Sequence, residues 1–213
     1  MPVDEALAAA VKANDAALVR RHLDTDPASI RMSVSEECLP KQDPRAGGTI
    51  YIWTLGWHKT AHQVARDFGR QEVFDLLMDR SPAALQVAVA CELGDEANIE
   101  TSIDIPPEDA RRLASAAQNN NTQAVRLMLK AGWPVNVRGQ HGGTPLHWAA
   151  WHGNAEMVEE ILRHHPQLEQ LADEGFGTTP LQWAEHGSKH GWNCTTGDYP
   201  GTVTALLKAG ASS

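Results

Sequence analysis

The chain has 213 residues, of which 18 are Lys or Arg and 27 are Asp or Glu, so its formal charge is −9. This acidic balance argues against a nucleic-acid partner, which requires clustered basic residues. No apolar run approaches the ~20 residues that cross a bilayer, and Asp4 and Glu5 stand where a secretion signal is positively charged. Three widely spaced cysteines favour a reducing compartment. We therefore expect a cytoplasmic protein with no membrane partner.

A pattern of paired short helices recurs along the chain with a period near 33 residues. Neither helix of a pair can bury its apolar stripe alone, so the pairs must stack on one another. We predict a single domain, 1–213, of about six such repeats, at residues 3–28, 56–80, 82–104, 107–138, 139–172 and 173–213.

The segment between the first two repeats, at about residues 29–55, is too long for one step of the pattern. Residues 29–34 and 49–53 alternate in character with period two, and prolines and glycines lie between them. This pattern predicts an elongated β-hairpin inserted between the repeats. A loop with one short strand is the alternative.

The clearest repeat contains residues 143–153, which are Gly-Thr-Pro-Leu-His-Trp-Ala-Ala-Trp-His-Gly. Thr144 can cap a helix, and Pro145 suits the first helical position. Leu146, Ala149 and Ala150 then fall on one face. A second copy occupies residues 177–187.

This motif, Thr144-Pro145-Leu146-His147 followed by Ala149-Ala150 and Gly153, resembles the ankyrin repeat. The resemblance covers residues 110–213 and, more loosely, 55–109. Residues 139–150 and the tail around 186–199 also resemble bacterial ankyrin-repeat domain proteins, a similarity that implies no known activity. The family resemblance implies an all-α ankyrin-repeat solenoid without catalytic activity or cofactor. It also implies that His147 bonds the neighbouring turn.

The aromatic composition points to a binding surface, because seven Trp accompany only three Phe and two Tyr. Trp148 and Trp183 share a frame position that faces the neighbouring repeat, so we expect them in the core. The ankyrin resemblance implies that the fingers between repeats and the ends of the first helices face a concave groove. An exposed aromatic cluster with a polar rim is typical of an interface anchor. The expected partner-binding residues are Gln118, Asn119, Gln140, His141, Trp151, His152, Phe176 and His186.

Trp151 has an alternative placement: it lies flat against Phe176, or the inserted loop near Trp192 covers it. That second insertion, at about residues 189–198, separates the two helices of the last repeat.

A metal site is the alternative use of this insertion. His186, His190 and Cys194 follow one another at intervals of four and are candidate Zn²⁺ ligands. We assign no metal there, because Gly187 and Gly191 argue against the continuous helix that would align them. An ordered loop with polar side chains turned to solvent is the preferred interpretation.

Three functions follow from these patterns. The leading one is a non-enzymatic protein–protein interaction module, whose unidentified protein or peptide partner binds the concave face of the C-terminal repeats. The second is a metal- or small-molecule-binding protein that uses residues 186–198. The third is a structural segment of a longer solenoid, since the sequence stops at about 208–211 where another repeat would begin. In that case the repeat array would continue past this point, or the chain would self-associate through its C-terminal repeat.

Overall fold

The computed structural model describes residues 3–34, 59–99, 103–168 and 171–211. The chain divides into two compact units, 1–89 and 90–213. Within the described residues, none of the helices has both the length and the apolar character that a bilayer span requires. The six repeat boundaries given above stay predictions.

The first unit consists of two stacked helix pairs. The first helix of each pair packs on the other, and so do the two second helices. Leu7, Val11, Val64 and Leu77 are fully buried between them. The elements are α1 (Val3–Ala13), α2 (Ala16–Thr25), a 3-10 helix (Pro27–Arg31), β1 (Ser33–Val34), β2 (Lys59–Thr60), α3 (Ala61–Asp67) and α4 (Gln71–Arg80), after which α5 (Ala83–Leu93) carries the chain into the second unit.

The predicted strand at residues 29–34 is only partly correct. Pro27–Arg31 form a 3-10 helix, because Asp26 caps it by accepting a hydrogen bond from the Ala28 N–H and proline favours its first turn. β1 is a strand, and it pairs antiparallel with β2, with Ser33 opposite Thr60. Residues 49–53, the other predicted strand, lie outside the described residues, so the elongated hairpin stays a prediction.

The second unit contains three regular helix pairs. Their first helices form one row, α7–α9–α11, and their second helices form another, α8–α10–α12. The prediction of an all-α fold is confirmed, since β1 and β2 are the only strands in the described ranges. The elements of this unit are a 3-10 helix (Glu96–Asn98), α6 (Pro107–Ala110), α7 (Arg112–Gln118), α8 (Thr122–Lys130), a 3-10 turn (Gln140–Gly142), α9 (Pro145–Trp151), α10 (Ala155–Leu162), α11 (Pro180–His190) and α12 (Tyr199–Lys208).

A capping box starts each of the two helices α9 and α11. In α11 the Thr179 N–H donates to the side-chain oxygen of Gln182 at 2.9 Å. In α9 the Thr144 N–H donates instead to Nδ1 of His147 at 3.1 Å. Because Nδ1 accepts, Nε2 carries the proton and donates to the Thr178 carbonyl at 3.1 Å. His147 therefore bonds the neighbouring turn, as the ankyrin resemblance implies.

Helix α11 continues through Gly187 and ends at His190 with Gly191 as its C-cap, so the expected interruption before Cys194 occurs at Gly191 but not at Gly187. Gly187 serves close packing instead. A Cβ atom at this position would lie 2.4 Å from the backbone oxygen of Trp151. The glycine allows α11 to approach the end of α9, and the helix closes when the Gly191 N–H bonds the Gly187 carbonyl at 2.8 Å.

A candidate partner-binding groove

Aromatic side chains from α9, α11, the finger between them and the loop after α11 line a cavity of about 840 Å³ in the second unit. We call this surface the aromatic groove, defined by Trp148, Trp151, Phe176, Trp183 and Trp192. Trp148 and Trp183 are only 5% and 8% exposed, Trp151 is half-buried, and Phe176 and Trp192 are 67% and 65% exposed. The groove therefore has a buried aromatic base and two aromatic side chains open to solvent.

The indole rings pack against one another in fixed orientations. Trp148 meets Trp183 edge to face, with ring centroids 4.9 Å apart. Trp192 lies nearly parallel to Trp148 at 6.5 Å and nearly perpendicular to Trp151 at 6.2 Å. Aromatic pairs in such arrangements contribute about 0.5–1.5 kcal/mol each beyond area burial. These ring contacts therefore stabilise the shape of the groove.

The indole N–H groups of three of these tryptophans are unavailable to a ligand. Nε1 of Trp183 donates to the Asp173 carboxylate at 3.0 Å and to the Thr178 hydroxyl at 2.9 Å. Nε1 of Trp148 and of Trp151 are shielded from solvent and have no hydrogen-bond partner among the described residues. These side chains therefore offer carbon ring surface to the groove.

Asp173 anchors the finger that carries Phe176. Its carboxylate, in a residue only 3% exposed, accepts the backbone N–H of Phe176 at 2.6 Å and that of Thr178 at 2.9 Å, besides the Trp183 indole. Burial alone would raise the pKa of Asp173, but hydrogen bonds from Thr178, Trp183 and Phe176 outweigh it and lower the pKa to about 2. Asp173 is therefore ionised at neutral pH.

Two hydrogen bonds connect α9 to the segment that carries Trp192. The Tyr199 hydroxyl donates to the Trp151 carbonyl at 2.9 Å, and the Asn193 amide lies 3.0 Å from Nδ1 of His152. These contacts hold the loop against the end of α9 and place Trp192 opposite Trp148 and Trp151.

Four of the expected partner-binding residues come together at the groove. Trp151 and Phe176 belong to it by definition, and His141 and His186 line its edge. The His141 ring lies 5.4 Å from that of Phe176, and the His186 ring stacks on Trp151 at 5.6 Å. Their participation in binding stays a prediction.

Other expected site residues have a different placement. His152 is only 4% exposed and bonds the Gln118 carbonyl at 2.8 Å, so the expectation that it faces a partner is wrong. Burial lowers the pKa of His152. Gln118 is likewise buried, and its amide donates to the Gln140 side chain. Asn119 is exposed and Gln140 half-buried, and both lie outside the groove lining.

The candidate zinc ligands do not form a metal centre. The rings of His186 and His190 are 4.7 Å apart, and Cys194 is exposed in the following loop. Within the parts of the chain that the structure describes, no group of three His, Cys, Asp or Glu side chains could hold a metal ion.

The burial of Trp148 and Trp183 confirms the prediction that they lie in the core. That both also form the base of the groove was not predicted. The alternative placement of Trp151, under the inserted loop near Trp192, agrees with the contact between these two rings, whose centroids are 6.2 Å apart. The available signal for Trp192 was its chemistry: an aromatic residue between Gly191 and Asn193 in an otherwise polar loop.

The sequence also matches known proteins. A family model for ankyrin repeats (3 copies) matches residues 61–172 and 113–211. Palmitoyltransferase AKR1 from the yeast Lachancea kluyveri is 28% identical over 131 residues, which are 56% of this chain and 17% of that protein. The human SMC5-SMC6 complex localization factor protein 1 is 39% identical over 70 residues, or 32% of this chain and 6% of that protein.

A third relative, the tyrosine-protein kinase Shark of Drosophila melanogaster, is 23% identical over 163 residues, 68% of this chain and 17% of the kinase. The chain thus spans less than a fifth of the length of each of these relatives. Ankyrin repeats are non-catalytic and generally mediate protein–protein interaction. Because the family model covers most of the sequence and the stacked helix pairs agree with it, the chain belongs to the ankyrin-repeat family.

Proposed function

We propose that this chain is a non-enzymatic protein–protein interaction module that binds its partner in the aromatic groove. The observation that carries the proposal is the exposure of Phe176 and Trp192, two large aromatic side chains beside a cavity with a buried aromatic base. Exposed aromatic clusters of this kind mark interaction sites in soluble proteins.

The energetics support a binding role for these two side chains. Fully burying a large apolar side chain is worth about 1.5–3 kcal/mol relative to leaving it in water. Tryptophan is among the residues most enriched at binding hot spots, especially beside a well-packed pocket. A partner side chain seated over Trp148 and Trp183 would bury the exposed faces of Phe176 and Trp192 at the same time.

Composition supports a protein partner in a reducing compartment. The charge of −9 disfavours a nucleic-acid backbone as the ligand. Cys91 and Cys194 are both free thiols, which is expected for a cytoplasmic protein.

Selection of peptides from a random displayed library on the purified protein tests the proposal. Selected peptides are then titrated against the wild type, Phe176→Ala and Leu207→Ala. Leu207 is the matched control, because it is 54% exposed on α12 outside the groove lining. We expect Phe176→Ala to weaken binding about tenfold and Leu207→Ala to leave it unchanged. Equal affinities for both variants would refute the proposed site.

A further inference from the structure

We infer that the aromatic groove takes an amphipathic segment of a partner protein that carries one basic and one acidic side chain beside its apolar anchors, an inference that rests on the proposed function. The basic side chain lies opposite Glu185 and the acidic one opposite Lys189. The polar face of α11, which lines the groove beside the aromatic rings, selects these charges.

Two opposite charges on α11 face the groove without a partner. Glu185 and Lys189 both line the cavity and both are exposed. They stand four residues apart on one helix, and neither forms an ion pair with any residue that the structure describes. Each charge is therefore open to a charged group of a ligand.

The balance of these charges favours a ligand that carries both signs. With histidine neutral, Glu185 and Lys189 are the two charged side chains of the lining, and they cancel each other. A ligand of one sign would place a like charge beside one of them, and such contacts are unfavourable at interfaces. A segment with one basic and one acidic side chain pairs with both.

The order of the two charges along α11 sets the direction of the segment. Phe176 precedes α11 in the chain and Trp192 follows it, so Glu185 is on the side of Phe176 and Lys189 on the side of Trp192. Residues four apart are separated by about 6 Å along a helix axis, which is enough for two distinct contacts. The basic side chain of the segment therefore lies toward Phe176 and the acidic one toward Trp192.

The accessible rings call for two apolar anchors. Phe176 and Trp192 are 67% and 65% exposed, whereas Trp148 is almost completely buried. The ring of Phe176 lies 5.4 Å from that of His141. Trp148 lies 6.4 Å from His141 and 6.5 Å from Trp192, so it stands between the two exposed parts of the surface. An elongated segment with one apolar side chain at each exposed ring covers both.

Gln182 adds a directional donor to the same face of α11. Its side-chain oxygen accepts the Thr179 N–H at 2.9 Å, so the NH₂ group is the part of the amide left for a ligand. Gln182 is half-buried and lines the groove. The NH₂ group can donate to a backbone carbonyl of a bound segment. A wholly apolar ligand would cover this donor without satisfying it.

Exchanging charges on both sides of the interface tests the inference on the intact chain. The probe is the tightest peptide that library selection on the wild type yields, and its control is the same peptide with its basic and acidic residues exchanged. The protein variant combines Glu185→Lys with Lys189→Glu, so its net charge and composition equal those of the wild type. We expect the exchanged peptide to bind the wild type about tenfold more weakly and the double variant to reverse this preference.

Further variants separate charge pairing from damage to the fold. Urea unfolding shows whether the double variant is as stable as the wild type. Glu185→Gln and Lys189→Gln, which introduce no like charge, should each weaken binding of the probe about threefold. Leu207→Ala should bind both peptides as the wild type does. Because salt screens exposed ion pairs, the preference for the probe should also shrink at high ionic strength.

Two results would overturn the inference: a selected peptide that lacks a basic or an acidic residue, or a preference that the double variant does not reverse. If Phe176→Ala still weakens binding of such a peptide, the proposed function survives that failure. If Phe176→Ala has no effect either, the proposed function fails as well.

Discussion

The side-chain amide of Asn193 lies 3.0 Å from Nδ1 of His152, while Nε2 of the same ring bonds the Gln118 carbonyl at 2.8 Å. One buried imidazole thus connects the end of α7, the end of α9 and the loop that carries Trp192. This bridge and the hydrogen bond from the Tyr199 hydroxyl to the Trp151 carbonyl hold the loop that places Trp192 in the aromatic groove.

Replacing His152 with alanine should destabilise the fold and release the loop. The change removes two hydrogen bonds, leaves the buried Gln118 carbonyl without its partner and creates a cavity, for a cost of about 2–4 kcal/mol. Urea unfolding measures the loss. Asn193→Ala is the companion variant, because it removes only the contact with the loop and should cost about 1 kcal/mol. In both variants the Trp192 indole signal should move; an unchanged signal in Asn193→Ala would contradict the bridging role.

The stability of the fold should decline as the pH falls from about 6.5 to 4. Burial lowers the pKa of His147 from its ordinary value of 6.5 to about 4, so in that range the unfolded chain binds a proton that the folded chain does not. The free energy of unfolding has its full value above about pH 6.5, and about 3 kcal/mol of it is lost by pH 4. Burial of His152 acts in the same direction.

His147→Gln isolates this contribution, because Gln182 performs the same capping role in α11. Urea midpoints measured across the pH range should depend less on pH in this variant. His165→Asn is the control, since His165 is exposed and has a positive φ that asparagine tolerates. Identical pH profiles for His147→Gln and the wild type would disprove the assignment.

Asp173→Asn should loosen the finger that holds Phe176. Asparagine offers one acceptor oxygen where the carboxylate has two, and its NH₂ group would face the donors now bonded to Asp173. We expect a loss of about 2 kcal/mol at neutral pH. Because folding lowers the pKa of Asp173, its carboxylate stabilises the fold fully above the pKa that it has in the unfolded chain. This stabilisation is lost as the pH falls from about 4 to 2. The midpoint of acid unfolding should therefore differ between Asp173→Asn and the wild type. Coincident acid transitions of the two proteins would contradict a stabilising role for this carboxylate.

Gly187→Ala should destabilise the chain although alanine is the better helix former by about 1 kcal/mol. The new methyl group would lie 2.4 Å from the Trp151 oxygen, and the required backbone shift should cost about 1–3 kcal/mol. Thermal unfolding measures the difference. Lys189→Ala, at an exposed position of the same helix, should be neutral. A stabilised Gly187→Ala variant would show that α9 and α11 do not approach as described.

Local sequence signals were sufficient for the repeat unit. Thr144 and Pro145 begin α9, Thr179 and Pro180 begin α11, and the indoles of Trp148 and Trp183 are buried as their shared frame position predicts. These features depend on residues close in sequence and on a periodic apolar stripe, which a sequence displays directly.

The groove could not be predicted in the same way, because it depends on contacts between residues distant in sequence. Gly187 has the appearance of a helix terminator, and only the nearby backbone of Trp151 reveals its packing role inside α11. The frame position of His152 suggested exposure, but Gln118 and Asn193 enclose the ring. The loop around Trp192 has no periodicity from which its placement could have been predicted.

The most direct test of the aromatic groove as a binding site is an NMR titration of the ¹⁵N-labelled protein with a library-selected peptide. Trp133 is an internal control, because it is buried outside the groove and its Nε1 donates to the Asp109 carbonyl at 3.2 Å. We predict that the indole signals of Trp148, Trp151, Trp183 and Trp192 shift on binding while that of Trp133 stays in place. Binding that leaves these four signals unchanged would contradict the account.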